Sequence, residues 1–151
     1  MNEVQAYDEA YLSSMIKLHC LLFSKINELD YDTCTIIDLY MRTSVIRSKM
    51  DKGNWSALNK GYKQLLNDID YSQYNPETNI QKLDMVMLHW IANIYVLLQW
   101  KYNISSKEIS ERLPCKELMN LFSPMHEISE KRACEKFYHL YFCREVKNII
   151  R

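Results

Sequence analysis

Residues 85–100, with the sequence MVMLHWIANIYVLLQW, constrain the fold more than any other segment. Their apolar side chains occur on nearly every side of a helix, and only His89, Asn93 and Gln99 interrupt them. A helix without a broad polar face is normally buried on all sides by its neighbours. The polar interruptions and the short apolar length argue against a membrane span. We therefore expect a central, buried helix in a protein that does not enter the membrane.

Glycine is scarce, since the 151 residues contain only Gly53 and Gly61. Sandwiches and barrels need many turns with positive φ, which glycine usually provides, so its scarcity favours helices. A chain of this length is expected to form one domain with a sizeable core. We predict an all-α, single-domain bundle over residues 1–151, with six or seven helices around the central one.

Apolar side chains at three- and four-residue spacing place the predicted helices along the chain. Asp32 or Thr33, Asn54, Ser105 or Ser106, and Ser129 are predicted N-caps, and Pro76 is predicted to begin the central helix. Ser123-Pro124 is expected to end the penultimate helix. The predicted helices span 4–27, 33–50, 55–69, 76–102, 106–113, 116–122 and 130–150.

Cysteine usage and the N-terminal sequence predict a cytoplasmic protein. The five cysteines are odd in number and show no C-x-x-C spacing, which favours reduced thiols over disulfides. The N-terminus is acidic and has no apolar run, so it does not resemble a signal peptide. His139 and Cys143 are four residues apart, but no second local pair would complete a zinc site. We predict no metal and, without a glycine-rich loop, no nucleotide cofactor.

Charge is distributed unevenly although it sums to zero. Residues 1–38 hold seven acids and two bases, a net charge of −5, and residues 39–67 hold six bases against Asp51, a net charge of +5. The simpler interpretation is that the two segments neutralise each other. The alternative is a basic surface for an acidic protein or a phosphate backbone. Tyr and Trp are frequent at interfaces, so we predict these partner-binding residues: Arg42, Arg47, Lys49, Trp55, Lys60, Tyr62, Lys63, Trp100 and Tyr102.

Two patterns suggest nucleic-acid chemistry. Residues 105–122 have the proportions of a helix-turn-helix. The polar side chains with which its second helix could contact DNA base edges are only those of Lys116, Glu117 and Asn120, so core packing is the favoured interpretation. Arg132 and His139 match the loosest Arg-x4-6-His pattern and lie on one side of a helix. That pattern resembles the HEPN nucleases, small helical bundles in which the arginine would hold phosphate and the histidine would move protons. The resemblance implies a homodimer with facing sites. In this chain Ala133 replaces the usual polar residue after the arginine.

The stretches DLYMRTSVIRSKMDKGNWSALNKGYKQLL and WIANIYVLLQWKYNISSKEISERLPCKELMNLFSPMH resemble a second family. It comprises small helical proteins from mobile elements and toxin–antitoxin-like loci of gut and other Gram-positive bacteria. Where relatives often place aromatics after Tyr95, this chain has Val96-Leu97-Leu98. The resembling features are Trp90-Ile91, Tyr95, Tyr102, Ser105-Ser106-Lys107, Glu117-Leu118, Leu121, Pro124 and His126.

This second resemblance implies an antitoxin-like partner protein without enzymatic residues. We therefore expect a non-enzymatic antitoxin or immunity-type protein that masks a toxin by direct binding. The alternatives are a ribonuclease toxin that uses Arg132 and His139, a DNA-binding regulator, and a phage defence or counter-defence factor.

Overall fold

A computed structural model describes residues 4–143, and every regular element within them is helical. The prediction of an all-α fold is confirmed, although the described residues contain nine α-helices rather than six or seven. None of these helices is long and apolar enough to cross a membrane. The helices are α1 (Leu12–Asn27), α2 (Thr33–Thr43), α3 (Val45–Asp51), α4 (Trp55–Leu58), α5 (Tyr62–Asn67), α6 (Met85–Tyr102), α7 (Ser106–Arg112), α8 (Cys115–Met125) and α9 (Glu130–Phe137).

Two internal caps account for the additional helices. Ser44 adopts an extended conformation, and its hydroxyl accepts a hydrogen bond from the backbone N–H of Arg47 at 2.9 Å, so the predicted second helix is divided into α2 and α3. The Asp68 carboxylate fixes this break by accepting from the Ser44 hydroxyl at 2.8 Å. Gly61 begins α5, and its N–H donates to the Gln64 side chain at 2.8 Å, which divides the predicted third helix. Caps inside an apolar repeat interrupt a helix without disturbing the repeat.

The central helix begins at Met85, so the predicted start at Pro76 is wrong. Asp84 caps it by accepting from the N–H of Val86 at 2.7 Å. The preceding loop is bound to the corner between α1 and α2, because the Asp32 carboxylate accepts from the N–H of Gln81 at 2.8 Å. A backbone amide held by a distant side chain is not available for a helical turn.

Helix α6 is the centre of the core, as predicted. It packs most extensively against α1 and also contacts α7, α8 and α9. Its exposed positions lie mainly in its first turns, and it ends at Asn103, which has a left-handed conformation (φ 53°). The buried side chains of α6 are those of Leu88, Trp90, Ile91, Ala92, Ile94, Tyr95, Val96, Leu98 and Gln99.

The last elements depart from prediction at Pro124. Helix α8 includes Pro124 and continues to Met125, because a proline in the last turn loses only one backbone hydrogen bond. Ser129 caps α9 as predicted, by accepting from the N–H of Arg132 at 3.2 Å. A π-helical turn (Tyr138–Phe142) follows α9. The predicted final positions, Val146 and Ile150, lie outside the described residues.

Candidate functional site

The basic run is divided between the surface and the interior by the phase of α3. Arg42, Lys49, Lys52 and Lys63 are exposed, and Lys60 is partly exposed. Arg47 is only 1% exposed, and Met50 and Asp51 are buried with it on the inward side of α3. The prediction that Arg47 contacts a partner is therefore wrong.

Arg47 is the centre of a buried polar cluster. Its Nε lies 3.6 Å from Asp51 Oδ1 and donates to the Ser106 hydroxyl oxygen at 2.7 Å. The Ser106 hydroxyl and backbone N–H both donate to the Asp51 carboxylate, each at 2.7 Å. Arg47 and Asp51 are thus neutralised by each other and by the start of α7, which the sequence places far along the chain.

His19 and Tyr40 extend this cluster. His19 Nδ1 donates to the Met15 carbonyl at 2.8 Å, and His19 Nε2 accepts from the Tyr40 hydroxyl at 2.6 Å. Burial, together with the charge of Arg47, lowers the pKa of His19 to about 3, so the imidazole is neutral at pH 7. We call Tyr7, His19, Tyr40, Arg47, Asp51 and Ser106 the Arg47 cluster.

All members of the Arg47 cluster are buried. Burial raises the pKa of Tyr7 to about 12, so this hydroxyl also stays neutral. Groups that are buried and neutral, or already paired, stabilise a fold but do not contact a macromolecular partner. Sequence reasoning missed the cluster. The spacing indicated it, because Arg47 and Asp51 are four residues apart and lie on the same side of a helix as the apolar Met50.

Within residues 4–143 the exposed cations of the basic run make no ion pair, although the charges of Arg42 and Lys52 act on the nearby carboxylates of Asp38 and Asp51. Among residues 4–143 the ion pairs are Lys25–Glu28, Arg47–Asp51, Lys101–Glu135 and Arg112–Glu108. The one acid inside the basic run, Asp51, is held by Arg47 in the interior. In this part of the chain no ion pair joins the acidic and basic segments, and their charges meet in the longer-range attraction between Arg42 and Asp38, so both interpretations of the charge distribution stay predictions.

An exposed tryptophan lies beside the cations at the end of α3. Trp55 is the first residue of α4, and 71% of it is exposed to solvent. The N–H of the neighbouring Asn54 donates to the Lys49 carbonyl at 3.0 Å, which places the end of α3 beside Trp55. We call Trp55 with Lys49 and Lys52 the Trp55 surface, and whether Arg42, Lys60 and Lys63 contact the same partner stays a prediction. Nothing in the core requires a large aromatic side chain at this exposed position.

The other predicted aromatic contacts take part in packing. The Tyr62 ring is half-buried, with the Lys25 ammonium 5.9 Å from its centre. Trp100 Nε1 donates to the Tyr7 carbonyl at 2.8 Å. The Tyr102 ring is stacked on Tyr138, with ring centres 4.0 Å apart. Their role in partner binding stays a prediction.

Arg132 and His139 line one cavity of about 590 Å³ between α8 and α9. Both side chains are exposed, and the π-helical turn that follows α9 carries His139. We call this the α8–α9 cavity. Its lining consists of Leu121, Met125, Arg132, Glu135, Lys136, Phe137, His139, Leu140 and Tyr141.

The helix-turn-helix pattern corresponds to α7 and α8, and the start of α8 is already bound within the fold. The N–H of Cys115 donates to the Asp38 carboxylate of α2 at 3.0 Å, and Leu118 is buried. Lys116 and Asn120 are exposed. This packing is typical of a core helix rather than of a helix that enters a DNA groove.

Metal ligands do not converge in the described residues: no three His, Cys, Asp or Glu side chains there could hold an ion. Comparisons with protein-family models, curated proteins and solved structures gave no match. The family resemblances therefore stay predictions, and the function is argued below from the geometry.

Proposed function

We propose that this protein binds an acidic surface of a partner protein in the cytoplasm, as an antitoxin or immunity-type protein that blocks a toxin. The observation that supports the proposal is the Trp55 surface, where a largely exposed tryptophan lies beside exposed lysines that make no ion pair within residues 4–143. Tryptophan and arginine dominate the binding energy of protein interfaces. The resemblance to antitoxin-like proteins adds the biological setting.

Binding at the Trp55 surface would act by blockade and would require no catalytic group. Trp55 would enter a pocket of the partner, and the surrounding cations would attract the partner's carboxylates and orient the encounter. Because these charges are exposed, salt would screen their attraction and slow association. The inhibitory effect would follow from covering the partner's active surface.

The test is co-expression and co-purification with the product of the adjacent gene. We expect a complex that Trp55→Ala weakens at least tenfold and that the double variant Lys49→Glu/Lys52→Glu abolishes. Lys116→Glu is the matched control, because Lys116 is exposed on α8, outside the Trp55 surface. Failure to form a complex with either neighbouring gene product would contradict the proposal.

The same variants discriminate against DNA binding. A regulator that reads DNA through α8 would retard promoter DNA in a salt-dependent manner, and Lys116→Glu would weaken that retardation. In the protein-binding proposal, Lys116→Glu has no effect on the partner complex.

A second candidate function is RNA cleavage, because Arg132 and His139 line the same cavity. Arg132 would hold the phosphate, and His139 would transfer a proton. The purified protein would then cleave RNA and lose this activity in His139→Ala. His126→Ala is the matched control, since His126 is an exposed histidine directly after α8 and does not line the cavity.

A further inference from the structure

The α8–α9 cavity has a largely apolar wall. Leu121 and Met125 of α8, Phe137 of α9 and Leu140 of the π-helical turn all contribute to it. Phe137 is buried and packs edge-on against Trp90, so this part of the wall is fixed by the core. Leu140 is 65% exposed, so this part of the apolar wall is open to solvent.

The rim of the cavity is cationic. Arg132 and Lys136 are four residues apart, so they lie on one side of α9, and His139 joins them in the lining from the π-helical turn. Arg132 and Lys136 have no ion pair within residues 4–143. The acid in the lining, Glu135, lies 3.7 Å from the Lys101 ammonium, which offsets its charge.

We propose that the α8–α9 cavity binds a small amphipathic anion. A phosphate or carboxylate head group would contact Arg132 and Lys136, and a hydrocarbon tail would cover Leu121, Met125 and Leu140. The volume of about 590 Å³ is within the range of small-molecule pockets, which are mostly apolar with a few convergent polar groups. A phosphodiester backbone alone would use the rim and leave the apolar wall exposed.

The cations and the apolar wall would bind different parts of the ligand. Guanidinium and ammonium groups select an anionic head group, and guanidinium binds phosphate and carboxylate in a bidentate manner. The apolar wall selects ligands with a tail, because burying hydrocarbon is favourable in proportion to its area. A ligand with only one of these parts should bind poorly. This inference does not depend on the Trp55 surface.

The test is titration calorimetry with n-octyl phosphate below its micelle concentration. We expect one molecule to bind per chain, with n-octanol and inorganic phosphate each at least about tenfold weaker. Octanoate, run in parallel, distinguishes a carboxylate head group from a phosphate. The double variant Arg132→Gln/Lys136→Gln should weaken octyl phosphate at least about tenfold, and Leu140→Ser should weaken it by a smaller factor.

The matched control is Lys49→Gln/Lys52→Gln, which removes the same charge from the Trp55 surface and should leave octyl phosphate binding unchanged. Circular dichroism of each variant verifies that the fold is intact. Equal binding of octyl phosphate by Arg132→Gln/Lys136→Gln would overturn the inference. A short oligoribonucleotide that binds where octyl phosphate does not would also overturn it and would favour the nuclease candidate.

Discussion

Arg47 and Lys49 are two residues apart on α3, yet they belong to regions with opposite roles. Arg47 is enclosed by the Arg47 cluster, whereas Lys49 is exposed on the Trp55 surface. Side chains two positions apart on an α-helix point in directions about 200° apart around its axis. Two nearby cations of one basic run can therefore face the interior and the solvent. A run of like charges therefore does not define a surface until the helix phase is known.

The two regions also differ in energetic cost. A guanidinium and a carboxylate that leave water lose several kcal/mol of solvation each, and only close charge pairing and hydrogen bonds offset this loss. Ser106 and Asp51 meet that condition for Arg47 Nε, whereas Arg47 Nη2 and the Tyr7 hydroxyl are buried without a hydrogen-bond partner among residues 4–143. The exposed lysines keep their water, so they cost the fold little and stay available for binding. Substitutions in the two regions should consequently affect different measurements.

The largest effect is expected for Arg47→Met, which leaves the Asp51 carboxylate buried without its cation. We expect the free energy of unfolding to fall by about 3–5 kcal/mol, measured by urea denaturation. Lys49→Met is the matched control on the same helix and should change the free energy by no more than about 0.5 kcal/mol. Equal effects of the two substitutions would remove the distinction between the regions.

A smaller loss of stability is expected for Ser106→Ala. The substitution removes the hydroxyl that accepts from Arg47 and donates to Asp51, and it keeps the backbone N–H that donates to Asp51. We expect the free energy of unfolding to fall by about 1–3 kcal/mol. Ser48→Ala, at an exposed position of α3, is the control. A neutral Ser106→Ala would mean that the cluster tolerates the loss of its hydroxyl link.

The pH dependence of stability should contain a contribution from His19. Its pKa is about 3 in the fold and about 6.5 when unfolded, so between these values only the unfolded state binds the proton. Stability should therefore fall with decreasing pH through this interval, by up to about 1.4 kcal/mol per pH unit from this group.

His19→Gln removes this contribution, and urea denaturation at several pH values measures it as the difference between the two proteins. Burial raises the pKa of Asp38 to about 7, and the difference cancels this group because both proteins contain it. Parallel stability profiles between pH 6 and pH 4 would contradict a neutral, buried His19.

The smallest effect on stability is expected at Trp55. Trp55→Ser should change the free energy of unfolding by no more than about 0.5 kcal/mol, because most of the side chain is in solvent. Thermal and urea unfolding measure it. A destabilisation near that of Arg47→Met would show that Trp55 supports the fold and would remove the main argument for a binding surface.

The sequence allowed the fold class and the central helix to be predicted, since apolar spacing and glycine scarcity are local properties of the chain. The internal breaks were missed because Ser44 and Gly61 act through their own hydrogen bonds and leave the apolar repeat intact. Of the candidate site residues, Trp55 and its neighbouring lysines are exposed, and their role in partner binding stays a prediction. The wrong placement of Arg47 came from reading charge without helix phase.

The sequence predicted only part of the α8–α9 cavity. The spacing of Arg132 and His139 predicted that both lie on one side of a helix; both line the cavity, but His139 lies in the π-helical turn after α9. The apolar wall was not predictable, because tertiary packing rather than sequence proximity brings Leu121 and Met125 of α8 opposite this part of the chain.

The link between Arg47 and Ser106 spans 59 residues, and this has a consequence for synthesis on the ribosome. Chain growth proceeds from the N-terminus, so α1 to α5 emerge well before the serine that neutralises their charged interior. Until Ser106 has emerged, Arg47 and Asp51 lack part of their hydrogen bonding and favour staying hydrated. The first helices should therefore collapse fully only after α6 and the start of α7 have been translated.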